Sequence, residues 1–472
     1  MKQPRIEEYL EIIEKGSGKN SLYSQAVRDC LKKVREPEDQ MYLTVWAPAL
    51  LEYVVWVIDQ TIRDRKERLY FLSRDAYPMY LLAKRLVKAL NLKLDCRYLR
   101  VSRYSLRMPE YHLMGERCLD RIFLSGIDIS LYQILKRADL SDEEMSQVCK
   151  EIDYIDDIYR ILNRREILEL REKVRVAGRQ NKTAFYDAVY ARSKETYADA
   201  IGYLKQEGLL EDVSWAVVDS GWVGTIQLSI RTLLAVKKPG IQVDGYYFGL
   251  YEYPKEAEGC RYRSYYFKPE GQVFRKAGFS NCLYEVIYSE PHAMVQRYRQ
   301  EEGRYIPSYT GQMNPNSIEL ERYAELLQIF ADTFTDIFIK ERKTAEGGSR
   351  DTIRELMPAN PVTEKLYTKL MSKPNEWEAA YYGGFLFSDD LCEEQMKTAA
   401  GNLSQREIRD LRAVSKLKIM LGFSHKVIHE SAWIEGSIVN GKEHVSGNLR
   451  AARRAKYLTH LRQSLRALKN KQ

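Results

Sequence analysis

Short apolar runs that close on small polar loops, each followed by helical periodicity, punctuate this chain. The clearest is residues 215–234, WAVVDSGWVGTIQLSIRTLL. Trp215, Ala216, Val217 and Val218 have the length and character of a buried strand. Asp219 ends the run. Ser220, Gly221, Trp222, Val223, Gly224 and Thr225 make a tight loop, and Ile226, Ile230, Leu233 and Leu234 then share one helical face. Residues 68–90, RLYFLSRDAYPMYLLAKRLVKAL, repeat the order. The strand lies at 69–72 and the loop is Ser73-Arg74-Asp75-Ala76. The helix opens at Pro78, where proline is tolerated, and turns Leu81, Leu82, Leu86 and Leu90 inward. A third strand, residues 95–101, ends in Ser102-Arg103-Tyr104-Ser105. Residues 243–251 and 265–267 read as two more strands, both rich in aromatics.

Elsewhere the period is helical. Residues 1–40 read as polar helix. Residues 41–63 read as a mostly apolar helix interrupted or kinked by Pro48; apolar on several faces, it belongs against a sheet. Residues 107–210 are helical segments with charged faces, lying between two strand–loop–helix units as an inserted subdomain would. Residues 303–317, with Pro307, Gly311 and Pro315, read as a loop and a boundary. A helix covers 318–345, and the remainder is helical apart from an irregular stretch at 381–390. Residues 431–437 read as a loop that offers Trp433 either to a sugar or partner surface or to the core. The expected architecture is α/β. Residues 1–106 hold N-terminal helices and the first part of a parallel-sheet core. Residues 107–210 are the helical insertion, 211–310 the second part of the core, and 311–472 a mostly α-helical region.

Composition sharpens this picture in three places. With 44% hydrophobic residues in 472 there is ample material for a large core, and a net charge of +8 suits an anionic substrate or surface without arguing for nucleic acid, which is not expected as a partner. The seven cysteines are scattered and form no CxxC pair, as in a reducing, cytoplasmic setting. No signal-peptide pattern opens the chain, and the greasiest region, 41–58, carries Glu52, so no membrane span is expected. From His444 to Gln472 there is no acidic residue, whereas Arg450, Arg453, Arg454, Lys456, Arg462, Arg466, Lys469 and Lys471 are basic. Leu449, Ala452, Leu458, Leu461, Leu465 and Leu468 recur mostly at helical spacing. This basic amphipathic helix either lies on an anionic membrane surface or packs its leucines on the domain.

The candidate chemistry sits at strand ends. In open α/β sheets ligands bind at the carboxyl edge. Residues 219–225 place a helix N-terminus, close-approaching glycine backbone, the Thr225 hydroxyl and the Asp219 carboxylate there, a setting for a phosphorylated sugar and a metal. Ser73, Arg74 and Asp75 add a hydroxyl, a guanidinium and a carboxylate, and Arg103 further positive charge. Glu285, among apolar neighbours, and His292 are the conspicuous titratable residues of 274–300. His425 and His429 stand four apart with Glu430 following, but no third ligand is evident and ordinary helix histidines suffice.

Together, LYFLSRDAYPMYLLAKRL and VVDSGWVGTIQLSI resemble the two loop units of type I phosphoribosyltransferases. In these a pyrophosphate-binding loop follows one strand and a 5-phosphoribosyl pyrophosphate (PRPP) motif follows a later one. More narrowly, YFLSRDAY, YLRVSRYSL and VVDSGWVGT resemble a bacterial family of polysaccharide loci whose members install 5-phospho-ribofuranose on a growing glycan. That family often carries a haloacid-dehalogenase-like phosphatase domain; no DxDxT segment is present here, so a separate phosphatase partner is implied. The resemblance covers roughly residues 40–300 and the 433–437 patch. It departs at Ser220, where the motif usually has a second acid, and at Ala76, where relatives often have glycine. The resemblance implies a type I phosphoribosyltransferase-like core, PRPP as donor, Mg²⁺ as cofactor and a lipid-linked glycan of O-antigen or capsule type as acceptor. The implied location is cytoplasmic, peripheral on the inner face of the membrane, with oligomeric state open. The amides of residues 73–76 with Arg74 and Arg103 would take the pyrophosphate. Residues 221–225 would cradle the 5-phosphate, and Asp219 would hold a ribose hydroxyl and the metal. Asp75, Glu285 and His292 are candidates for the general base, unranked. Displacement on the α-configured donor would invert. The alternatives are a haloacid-dehalogenase-like phosphatase with Asp219 as nucleophile, and a non-catalytic PRPP- or nucleotide-binding module.

Overall fold

The computed structural model describes residues 3–469 except 125, 127, 128, 255, 258, 312, 343–349, 389–395 and 411–430, so His425 and His429 lie outside the described residues. Five strands, β1 (Arg68–Leu72), β2 (Asp95–Leu99), β3 (Trp215–Trp222), β4 (Asp244–Leu250) and β5 (Tyr262–Phe267), form one all-parallel sheet in the order β2-β1-β3-β4-β5. Every residue of β1 and β4 is buried, which is why both read as continuous apolar or aromatic runs. Arg68 pairs with Trp215 on one side and Asp95 on the other. From β1 the chain crosses outward to β2; from β3 it crosses the other way to β4. The neighbours β1 and β3 therefore flank the point where winding reverses, and a crevice opens beyond their carboxyl ends.

The expected apolar helix is α1 (Ala47–Arg63), buried against the sheet. Pro48 falls in its first turn, and the preceding turn, Tyr42–Trp46, widens to a π-helical segment, so the interruption precedes the proline. The segment Pro37–Arg63 is long and apolar enough to cross a membrane by composition alone, yet 94% of its most apolar 18-residue window is buried within the protein. Its fully buried acid, Glu52, accepts hydrogen bonds from the Val362 amide (2.7 Å), the Thr363 hydroxyl (2.5 Å) and the Tyr265 hydroxyl (2.8 Å). The helices of residues 6–41, polar by composition, still bury Tyr9, Ile13, Tyr23 and Val27 in the same core.

Between β2 and β3 lies the helical insertion, from α2 (Arg103–Met114) to α3 (Ala184–Gln206), whose side chains build a second hydrophobic cluster of their own. One expectation is revised and two open alternatives are decided. Residues 303–317 are not all loop: β6 (Val295–Glu301) and β7 (Arg304–Tyr309) form an antiparallel hairpin whose turn residues Glu302 and Gly303 both have positive φ. Trp433 is fully buried, and its indole N–H donates to the Met371 carbonyl at 2.8 Å, so it is core and not a surface aromatic. In the C-terminal helix, α4 (Val445–Lys469), the buried side chains are Asn448, Ala452, Ala455 and Ser464, while Leu458, Leu465 and Leu468 are exposed. The stripe is split: Leu449 and Ala452 pack on the domain, whereas Leu458, Leu465 and Leu468 face solvent, and small residues let the helix lie close against Lys276, which donates to Ser464 Oγ at 3.1 Å.

Candidate active site at the sheet switch point

A cavity of about 640 Å³ lies at the carboxyl ends of β1 and β3. Ser73, Arg74, Asp75, Arg103, Asp219, Ser220, Gly221, Trp222, Val223, Thr225 and Glu285 all line it. β3 runs further than expected, through Ser220, Gly221 and Trp222, and its end touches the β1 loop: the Ser220 hydroxyl donates to Asp75 Oδ2 at 2.6 Å. At the position where the resemblance leads one to expect a second acid, Ser220 thus contacts the carboxylate of Asp75.

Each loop is fixed from below. Tyr53 of α1 donates to the Asp219 carbonyl at 3.0 Å and to the Tyr246 carbonyl at 2.9 Å, tying the end of β3 to β4. Ser73 accepts the Val101 amide and donates to the Val101 carbonyl, clamping the β1 loop to the end of β2. Its own amide donates to the Leu99 carbonyl, and the Ala76 amide donates to the Leu72 carbonyl. These two amides are engaged, so the expected anion cradle of four amides at 73–76 is revised; the Arg74 side chain carries the positive charge of this loop. Ala76 is fully buried and lies outside the cavity lining.

Glycine is required at 221. Its φ is +108°, and a Cβ there would lie 2.7 Å from the Gly249 carbonyl oxygen. Gly224, also at positive φ, precedes α5 (Thr225–Ala235), whose N-terminus no side chain caps. The Val223 amide folds back to the Gly221 carbonyl, so the amides open to a ligand are those of the first helical turn. Asp219 is buried and its carboxyl is held well above the usual range, first by burial and then by the charge of Asp75. The Ser220 and Gly221 amides and Arg103 pull it back. Among the described residues no three metal-ligating side chains gather. The adjacent carboxylates Asp75 and Asp219 nevertheless offer the all-oxygen donor set of Mg²⁺, which keeps waters and takes further oxygens from a phosphorylated ligand.

Glu285, from the helix Asn281–Tyr288, accepts the Trp222 indole N–H, so its carboxylate is oriented toward the β3 loop. His292 is exposed and lines a neighbouring cavity of about 300 Å³, which shares Arg74, Met294, Asn314 and Met396 with the main one. The structure thus brings Asp75 and Glu285 together with Asp219 and sets His292 apart.

Sequence reasoning misses several charged residues at or beside the site, among them Arg107, Arg121 and Glu290. Arg107, one turn beyond Arg103 on the same face, reaches the cavity and donates to Thr225 Oγ1 at 2.9 Å. The spacing SRYSLR was the available signal. Glu290 is buried, accepts the Tyr98 hydroxyl, and lies within electrostatic reach of Arg74; no sequence pattern marked it. No protein-family model matches the chain, and no match was found among curated proteins.

Proposed function

We propose that the protein is a PRPP-dependent phosphoribosyltransferase of type I-like fold that places 5-phospho-ribofuranose on a sugar hydroxyl of a bacterial polysaccharide. The observation that carries this reading is the Ser220–Asp75 hydrogen bond, which joins the β1 loop to the end of β3 at the switch point, beside a guanidinium and an uncapped helix N-terminus. Such a crevice suits a donor with an anion at each end of one pentose. Arg74 would bind the pyrophosphate and the first turn of α5 the 5-phosphate. Asp219 would hold a ribose hydroxyl.

In the reaction the bond from C1 to the pyrophosphate oxygen breaks and the pyrophosphate keeps the electron pair. The bond from C1 to the acceptor oxygen forms on the opposite face, which inverts the α donor to a β product. The acceptor's proton passes to a carboxylate. Asp75 and Asp219 are the pair suited to Mg²⁺, which leaves Glu285, steered by Trp222, as the base. When bound, Mg²⁺ neutralises charge on the leaving pyrophosphate. Arg74 stabilises the same charge, and the buried floor of the crevice keeps the oxocarbenium-like sugar from water.

The product would retain its 5-phosphate, so a separate phosphatase would follow. The exposed leucines of α4, flanked by exposed Arg454, Arg462 and Arg466, would hold the enzyme on an anionic membrane near a lipid-linked acceptor. The test is incubation with PRPP, Mg²⁺ and a glycan acceptor. Pyrophosphate release that is lost in Asp219→Ala supports the reading. Release that survives unchanged overturns it, and phosphate release from phosphosugars instead would point to the phosphatase.

A further inference from the structure

Around Glu285 the wall of the main cavity carries amides, hydroxyls and an aromatic ring: Ser289, Asn314, Asn316 and Phe387. The run Asn314-Pro315-Asn316 holds this wall together. The Asn316 side chain donates to the Leu386 carbonyl at 2.8 Å and accepts the Leu386 amide at 2.9 Å, which pins the two-residue strand Leu386–Phe387. Asn314 donates to the Glu290 carbonyl at 3.0 Å, which pins the chain leaving the helix of Glu285. Both asparagines are buried. One clamp thus sets an aromatic residue and the candidate base on the same wall. Beyond Asn314 the smaller cavity begins, and none of Asp75, Asp219 and Thr225 lines it. Its charges largely cancel, Lys136 against Asp139, apart from Arg74 at the boundary and His292. Its other polar groups include Gln296 and Thr310 at the base of the β6–β7 hairpin. Neither side chain bonds to another described residue. Gln296 is the extra residue of a β-bulge, since Val295 pairs with Tyr309 and Arg297 with Ser308. Bulges of this kind re-aim a side chain beside a site.

We propose that the Phe387 wall and the smaller cavity form one track for a neutral oligosaccharide acceptor, with the receiving sugar on Phe387 beside Glu285 and the preceding sugar at Gln296 and Thr310. The inference rests on the reading above for Glu285 as the base. A sugar ring has C–H faces and a rim of hydroxyls. The faces suit Phe387 and the thioethers of Met294, Met313 and Met396, and the rim suits amides and hydroxyls that need no counterion. An acidic sugar in the receiving position would meet the Glu285 carboxylate, a like charge that selects against it. At about 300 Å³ the smaller cavity is at the lower end of the range for small-ligand sites, room for a short piece of glycan and not for a long one. The two subsites meet at Asn314, which lines both cavities. The protein would therefore act on the end of a chain and not on a free monosaccharide. The hairpin β6–β7, which follows the sheet in sequence, would be what reads the chain's length.

The test is binding of sugars to the full chain, read by saturation-transfer NMR titration. The probes are the methyl glycosides of glucose, galactose, mannose and N-acetylglucosamine, each set against its disaccharide: maltose, galactobiose, mannobiose and chitobiose. At least one disaccharide should bind at least about tenfold more tightly than its monosaccharide, the worth of one or two added hydrogen bonds. Gln296→Ala combined with Thr310→Val should bring that ratio close to one, and circular dichroism should show the fold intact because neither side chain bonds within it. Phe387→Ala should weaken both members of the pair. Methyl glucuronide should bind more weakly than methyl glucoside. Absence of binding by every probe, a wild-type ratio near one, a ratio that survives the double variant, or glucuronide binding as tightly as glucoside overturns the inference. Length-dependent binding in a protein that releases no pyrophosphate from PRPP would support the track and refute the transferase reading. Pyrophosphate release that is equal with both acceptor lengths would refute the track and leave the transferase reading standing.

Discussion

Replacing Glu110 by Gln should remove a pH dependence from the stability of the protein. Glu110 lies on α2, fully buried, accepting the Ser229 hydroxyl of α5 at 2.9 Å, and its second oxygen has no partner among the described residues. Burial raises its carboxyl from an ordinary value near 4.5 to about 7; Arg121, Ser229 and Arg107 offset only part of this. In the unfolded chain the group ionises first, so between these two values the folded state holds more protons. Its contribution is therefore fully present below about 4.5 and is lost as pH rises through about 7. Each tenfold change in proton affinity is worth about 1.4 kcal/mol, so the group withdraws about 3 kcal/mol between pH 4.5 and pH 8. Unfolding free energies from urea titrations at pH 5 and pH 8, followed by tryptophan fluorescence, measure this. Other buried acids contribute equally to wild type and variant, and the difference isolates Glu110. The wild type should lose about 2–3 kcal/mol more than Glu110→Gln over that interval. Equal losses would show that Glu110 ionises normally and that the contact between α2 and α5 is not the dry one described.

Three further outcomes follow from the same geometry. Gly221→Ala forces a side chain onto the Gly249 carbonyl at positive φ, and should lower stability by at least about 2 kcal/mol and abolish PRPP binding, both read by thermal unfolding with and without PRPP. Glu285→Gln should reduce kcat for glycan transfer by about 10²–10⁴-fold, with the KM for PRPP nearly unaffected, because it acts on the acceptor's proton; a change confined to KM would reassign it to donor binding. Leu458→Ser combined with Leu465→Ser should release the protein from phosphatidylglycerol vesicles in flotation without altering its fold, since both side chains face solvent; undiminished flotation would remove the membrane role.

The sheet was legible because a strand buried on both faces must be apolar throughout, as residues 69–72 and the first half of β3 are; the small polar residues Ser220 and Gly221 disguised the second half of β3 as loop. That legibility extended to the pairing of the two loops, although the means of pairing, Ser220 on Asp75, was not visible in either segment alone. The hairpin of β6 and β7 escaped because its strands lie largely in water: Arg297, Arg299 and Glu301 are exposed, so no apolar alternation marks them. Trp433 could be read either way, as surface or core, since small polar neighbours surround a residue packed beneath Gly436. The leucines of α4 fit a helical stripe, but the periodicity does not say whether that stripe faces the protein or its surroundings. Arg107 shows how a site residue hides in a segment dominated by core-forming neighbours: its spacing from Arg103 was readable, and its reach to Thr225, more than a hundred residues away, was not.

The most direct measurement is a crystal structure of the protein with PRPP and Mg²⁺. The account predicts one donor spanning the crevice, its pyrophosphate at Arg74, its ribose at Asp219 and its 5-phosphate at Thr225 and Arg107. Donor bound at one loop alone, or anywhere away from the ends of β1 and β3, would contradict it.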